Sequence, residues 1–315
     1  MTITSSNFAK ALWPGVNAWY GKAYNEYKTE WDRLFTTYKS SRRYEEDVGT
    51  SGFGLALAKA EGAGITYDSE KQGFTTRYPN VTYALGFVVT REAWEDDQYD
   101  VVASRKAQGL AFSMRQTKEV IAASVFNNAF NTSYTGGDGS TLIACASAGS
   151  ASHPNVAGGT WTNGPATDVD LSEAALEAAV IAIGNFTNDR GLRIAVRPTK
   201  LVIPINSMFE STRILDSTLQ PGISPGATTG GGLNDTNALR QMGMINEVVV
   251  NHYLTDTDAW FVLTDVPHGL KHFERRADSF DMDNDFDTEN AKFKASARYA
   301  FGWTDPRCIY GSEGA

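Results

Sequence analysis

The sequence predicts an α+β fold, in which helices and antiparallel strands occupy separate stretches of chain. Three observations carry that prediction. One helical pattern runs from Tyr99 to Phe130 with a single glycine, Gly109, and no proline. Strand-like segments gather near the end, at 247–253, 259–264, 270–275 and 292–299. The two kinds of segment do not alternate as they would around a parallel sheet. The chain is long enough, at 315 residues, to bury a large core. Its 42% apolar content excludes a disordered polymer, and 28 Lys and Arg against 37 Asp and Glu, a formal charge of −9, exclude a basic coat that grips phosphate. Two cysteines, Cys145 and Cys308, form neither a disulfide framework nor a metal knuckle. The first 15 residues lack a signal-peptide pattern and no run reaches the ~18 apolar residues of a membrane helix, so the expectation is a soluble protein made in a cytoplasm, with no membrane partner.

The first 50 residues hold ten aromatics. Apolar residues at 16, 19, 20, 23, 27, 31, 34, 35 and 38 recur in steps of three and four and predict a helix after Pro14-Gly15. That stripe packs either on its own core or on a neighbouring subunit, and the pattern does not separate the two. Six glycines then fall between Gly49 and Gly73, before a period-two strand at 78–89. Together these predict a long two-stranded flap with a glycine-rich tip, or else a glycine-rich loop. The helix from Tyr99 would be about 40 Å long, a structural spine. Residues 136–165 carry seven glycines and read as loops. Asp170 and Glu173 have capping-box spacing and predict a helix over 171–183. A buried strand is expected at 200–204, a helix capped by Asn206 over 207–215, and a flexible loop at 221–232.

Motifs of chemistry are few. No phosphate loop, dinucleotide fingerprint or nucleophile elbow is present. His268 and His272, four apart on an expected strand, would sit ~13 Å from each other, too far to share an ion. Asp281 to Glu289 resembles a calcium loop, but its sixth position is Phe286 and its twelfth Lys292, so the turn glycine and bidentate ligand are missing. Alternation puts Asp281, Asp283, Asp285 and Asp287 on one face, opposite Met282 and Phe286, as an acidic edge. A hydrolase using these carboxylates is the competing functional class. Positive charge is scattered, at Arg42-Arg43, Arg190 to Lys200 and Arg275-Arg276, and reads as ordinary surface. No catalytic, cofactor-binding or metal-ligating residue is assigned, and no cofactor.

The order of an aromatic arm, a glycine-rich flap, one long helix and an α+β region before the last strands resembles a tailed-phage major capsid protein. Specific stretches look like the Mu-like major head subunit group: DGSTL at 138–142 approaching His153-Pro154, RPTKLVIP at 197–204 running into 206–215, TDTDAWFVL at 255–263, and RYAFGWTDPR at 298–307. The resemblance implies the Hong Kong 97-type fold, with an N-terminal arm at 1–48, an E-loop at 49–90, a P-domain at 91–135 and 268–304, and an A-domain at 136–267 and 305–315. It implies a structural, non-enzymatic subunit that assembles with itself as pentamers and hexamers, through arm and E-loop contacts, into an icosahedral virion shell around double-stranded DNA. An encapsulin-like nanocompartment shell is the alternative. Some members begin with a cleaved helical scaffolding domain; here the chain starts almost directly in the arm, so the expected partners are a separate scaffolding protein, a portal and decoration proteins. Lys59 and Lys71 lie in the flap, but no motif identifies a cross-linking partner for either.

Overall fold

The computed structural model describes residues 18, 20–25, 28–90, 92, 99–219, 236–284 and 290–315. Trp13 and Trp19 of the arm, the loop at 221–232 and residues 285–289 of the acidic edge lie outside the described residues. The chain divides into two compact units: residues up to Glu45, with Tyr78–Ala122 and His272–Phe301, and a second made of Glu46–Arg77, Ala123–Lys271 and Gly302–Ala315.

In the first unit, residues 20–25 are helical, Trp31–Arg33 form a 3-10 turn and Thr36–Lys39 form β1. The helix expected over the whole aromatic stripe therefore ends early. Glu119 takes the backbone N–H groups of Glu30 and Trp31 at 2.9 and 3.1 Å, drawing them out of helical register, and the β-branched Thr36 and Thr37 join a sheet edge. Tyr20, Ala23, Leu34 and Phe35 are buried, so this much of the stripe packs on its own unit. Strands β2 (Tyr44–Thr50) and β3 (Gln72–Pro79) belong mostly to the second unit; the chain returns to the first in β4 (Val81–Val89), and the spine helix α1 spans Tyr99–Asn127. The late strands β10 (Leu270–Asn284) and β11 (Ala291–Trp303) complete a four-stranded sheet in the order β1-β10-β11-β4. Both are much longer than the alternation over 270–275 and 292–299 predicted.

One apolar seam holds this unit together. Ala107, Leu110, Ala111 and Met114 of α1, at steps of three and four, bury against Phe280 of β10 and Phe293, Ala295, Ala297 and Tyr299 of β11. β4 runs antiparallel to β11 with Phe87 opposite Phe293, ring centroids 4.8 Å apart. Gly86 makes that approach possible, because a Cβ there would stand 2.5 Å from the Phe293 carbonyl oxygen. Met282 packs against the same core while Asp281 and Asp283 face out, the alternation read from the sequence for the described part of the acidic edge.

The second unit is built on a sheet in the order β12-β9-β7-β8, from β7 (Pro198–Pro204), β8 (Glu247–Asn251), β9 (Trp260–Thr264) and β12 (Ile309–Ser312). β7 and β8 are parallel, and the other pairs antiparallel. Helices α2 (Glu173–Gly184), α3 (Met208–Asp216) and α4 (Ala238–Met242) supply Leu176, Ala179, Ile183, Ile214 and Leu239 to a core with Leu201, Ile203, Trp260 and Val262. Ser172, not Asp170, caps α2: its hydroxyl accepts the Ala175 N–H at 3.2 Å. Asp170 instead accepts the backbone N–H of Ala315. Asn206 lies inside a 3-10 turn, Ile205–Ser207, that leads into α3. Two short strands, β5 (His153–Pro154) and β6 (Thr160–Trp161), form a separate ribbon. Both cysteines are free and buried.

His272, fully buried in the first unit, lies between Trp31 and Phe301, 4.5 Å from each ring centroid. The ammonium of Lys118 sits 4.0 Å above the same Trp31 ring. Burial, with Lys118 beside it, drives the imidazole pKa down to about 3. The unfolded chain accepts that proton near pH 6.5, so stability present above pH 6.5 is lost as pH falls from there toward 3, by at most about 1.4 kcal/mol per pH unit. His272→Phe is expected to flatten this dependence, so that its thermal midpoint falls less between pH 7.5 and pH 5 than the wild type's; parallel losses would refute the assignment.

Candidate functional site

The most unusual surface of the second unit is the flap. β2 and β3 pair as a two-stranded sheet, whereas the strand read at 78–89 belongs, as β4, to the first unit's sheet, drawn there by Tyr83 and Phe87 against Tyr299 and Phe293. Gly49 and Gly73 face each other in the ribbon: a Cβ on Gly73 would stand 2.8 Å from the Gly49 carbonyl oxygen. Above them Ser51 N donates to Lys71 O and Lys71 N to the Ser51 hydroxyl, both at 3.0 Å, closing the neck. Arg77 and Glu46 pair across the ribbon at 2.6 Å. Residues 52–71 then carry no regular structure beyond one turn at 61–62. Phe53, Leu55, Leu57, Ile65 and Tyr67 are between 62% and 87% exposed there, far more apolar surface than an isolated subunit has use for.

The base of the flap is held firmly. Asp47 on β2 accepts hydrogen bonds from the Lys271 ammonium and, at 2.7 Å, the Thr304 hydroxyl. Burial works against its charge, but those two bonds outweigh it and keep the carboxyl below the usual range. Under β3, Gly137 has no room for a side chain, since a Cβ would lie 2.6 Å from Thr75 O. The glycine-rich loops at 136–165 are thus packed against the flap base.

Those loops meet in a buried polar knot. The amide nitrogen of Asn163 shares its two hydrogens among the carbonyls of Leu142, Pro306 and Ile309, at 2.8, 3.1 and 3.1 Å, and its oxygen accepts from Ala144 N at 2.7 Å. That fixes the amide, so His153 Nε2, 3.2 Å from the same oxygen, is the donor in that contact, while Nδ1 lies 2.7 Å from Asp138. His153 stacks on Trp161 at 4.6 Å, and the Arg307 guanidinium lies 4.7 Å from the same ring. Arg307 donates to Thr187 O, Asn155, Asp189 and Asp305 at 2.8 to 3.3 Å. Asp138 and His153 sit in one of the stretches that carry the family resemblance and Arg307 in another, and the fold brings them together; Asn163 lies in none of them.

A cleft of about 540 Å³ lies between the flap base and the loops at 188–196 and 265–268. Ala195 and His268, at φ 51° and 61°, line it; among the described residues they are the two non-glycine positions in the left-handed region. His268 therefore precedes β10 instead of sharing a strand with His272. A smaller groove of about 200 Å³ is lined by Ile181, Leu215 and Met242. Carboxylates cluster away from 281–289: Asp256 and Asp258 share a hydrogen bond that pushes Asp258 upward, with burial and Asp170 adding to the shift. Among the described residues no group of His, Cys, Asp or Glu is placed to hold a metal ion, and no helix is long and apolar enough to cross a membrane.

Two substitutions test the support. Asn163→Ala strips three buried carbonyls and His153 of a partner and is expected to cost about 3 kcal/mol or more in denaturant unfolding. Gly137→Val should speed hydrogen exchange across 72–77 by displacing β3 at Thr75, with little change in β7 or β9.

Residues 73–312 match the family described as phage capsid protein. No curated protein matches the chain by sequence. Among solved structures, the capsid of a native GTA particle is similar with a TM-score of 0.52 at 14% identity, over 92% of this chain and 92% of that one. Microbacterium phage Oxtober96 gives 0.52 at 9% identity, again over 92% of each chain. Mycobacterium phage Patience gives 0.50 at 11% identity, over 98% of this chain and 88% of the other. Identities this low speak to the fold alone, which is α+β and of the Hong Kong 97 type. With three quarters of its length matched, the chain belongs to the phage capsid protein family.

Proposed function

We propose that this chain is the major head subunit of a tailed phage, assembling with copies of itself as pentamers and hexamers into an icosahedral shell that encloses double-stranded DNA. The observation that carries the reading is the flap: a chain of this family presents five large apolar side chains in water at the end of an extension. Burial of such a side chain is worth about 1.5–3 kcal/mol, so five docked on a neighbour contribute on the order of 10 kcal/mol before the ordering cost. Shell closure needs many repeated, symmetry-related contacts of that kind. In this reading 1–48 is the arm, 49–90 the E-loop, 91–135 with 268–304 the P-domain, and 136–267 with 305–315 the A-domain. The role is structural rather than catalytic, within the virion shell, after synthesis in the host cytoplasm. A scaffolding protein, a portal and decoration proteins are the further partners. A net charge of −9 suits a wall that surrounds DNA without gripping it. The encapsulin-like alternative is not favoured, since the match is to phage capsid proteins.

Negative-stain microscopy of the assembled protein tests the shell. Closed particles are expected; a protein that stays monomeric under every assembly condition would remove the proposal. Deleting 52–72, or combining Leu55→Ser, Leu57→Ser and Tyr67→Ser, is expected to abolish particles and leave a folded subunit by circular dichroism. Normal particles from either variant would show that the flap is not the contact.

A further inference from the structure

We propose that Asp68 and Arg190 form a latch that holds the flap against its own subunit before assembly; the inference rests on the shell reading for its consequence, not for its geometry. Both halves are prepared before they meet. On the flap, Asp68 accepts the backbone N–H of Gly54 and of Ser69, each at 2.8 Å, and so ties the outgoing leg to the returning one. Those two bonds, Gly54's first, and then Arg190 hold its carboxyl below the usual range. A Cβ on Gly54 would lie 3.3 Å from Asp68 Oδ2 and 3.6 Å from Arg190 Nη1, so the outgoing leg passes close over the pair.

Arg190 is presented from a rigid turn. Asn188 accepts through its side chain from Arg190 N and Leu192 N, both at 2.9 Å, its own N–H meets Leu192 O at 2.7 Å, and Gly191 takes φ 78°. The turn is anchored behind by Arg307, which binds Thr187 O and Asp189. From there Arg190 Nη1 reaches both Asp68 oxygens, at 3.1 and 3.0 Å, and Nη2 donates to Ser69 O. Among the described residues, Arg190 is the side chain outside the flap that hydrogen-bonds to 53–70.

The two side chains remain 40% and 23% exposed, so the pair is screened by salt and exchangeable. It fixes the two legs that carry Leu55, Leu57, Ile65 and Tyr67. A flap bound this way is restrained at any protein concentration, whereas docking on a second copy grows with concentration. Releasing the latch is therefore a step that assembly must include, and the pair sets how readily free subunits commit.

The test uses the full chain, with Arg190→Ala and the conservative Arg190→Lys. In unassembled subunits, Arg190→Ala should raise the rate of proteolytic cleavage within 51–71 several-fold, leave the thermal midpoint unchanged, and shorten the light-scattering lag of assembly several-fold. Arg190→Lys, which keeps a cation for the Asp68 carboxylate, should return both rates toward wild type, and raising salt should bring wild type toward Arg190→Ala. Unchanged cleavage would overturn the latch. So would slower assembly of Arg190→Ala, which would make the pair part of the shell contact, or finished shells in which each subunit keeps its own Asp68–Arg190 pair. If wild type forms no particles the shell reading fails, while cleavage still decides whether Arg190 restrains the flap.

Discussion

The second unit depends on one buried cation. Arg307 is nearly closed to solvent and directs its donors to Thr187, Asn155, Asp189 and Asp305, while its guanidinium lies against Trp161. A guanidinium taken out of water must find carboxylates and carbonyls for all its N–H groups, which forces loops from distant parts of the chain to converge at one point. Because those loops converge there, Asn163 reaches the carbonyls beside Arg307, the turn carrying Arg190 is rigid, and the flap has a firm base. The first unit is held differently among its described residues. Its order comes from an apolar seam between α1, β10 and β11, with Gly86 letting β4 approach.

The two units therefore resist disturbance differently. An apolar seam tolerates neighbouring hydrophobic substitutions of similar volume. A hydrogen-bonded knot tolerates almost none, since each lost partner leaves another buried group unsatisfied. The flap has two kinds of support of its own: its base is specified group by group at Asp47, Gly49, Gly73 and Gly137, and its far end between the legs is held by a surface ion pair.

Much of this was legible in the sequence because it is local. The spine helix shows its period over eight turns, β7 shows as a short apolar run, and the glycines at 49–73 mark a flap because only glycine permits the Gly49–Gly73 approach. The acidic stretch alternates as read as far as it is described. What escaped is what distance along the chain conceals. Glu119 interrupts the arm helix from 88 positions away, and Ser172 displaces Asp170 as the cap once Asp170 is taken by the C-terminal residue. β10 outran its alternating core because strand length follows the partner strand. Asn163, an ordinary polar residue in a glycine-rich loop, carries no signal until the Pro306 and Ile309 carbonyls arrive beside it. Asp68 and Arg190 lie 122 positions apart and announce nothing in either neighbourhood.

Both thiols are sealed. Cys308 backs onto Gly269, where a Cβ would stand 2.3 Å from its own Cβ, and burial pushes its thiol well up; Cys145 lies under Gly164. Neither is open to an alkylating reagent in the folded chain. A cysteine placed at Tyr67 or Leu55 would then be the one accessible thiol per subunit, so that a fluorophore attached there reports flap position alone, with no background from the native pair.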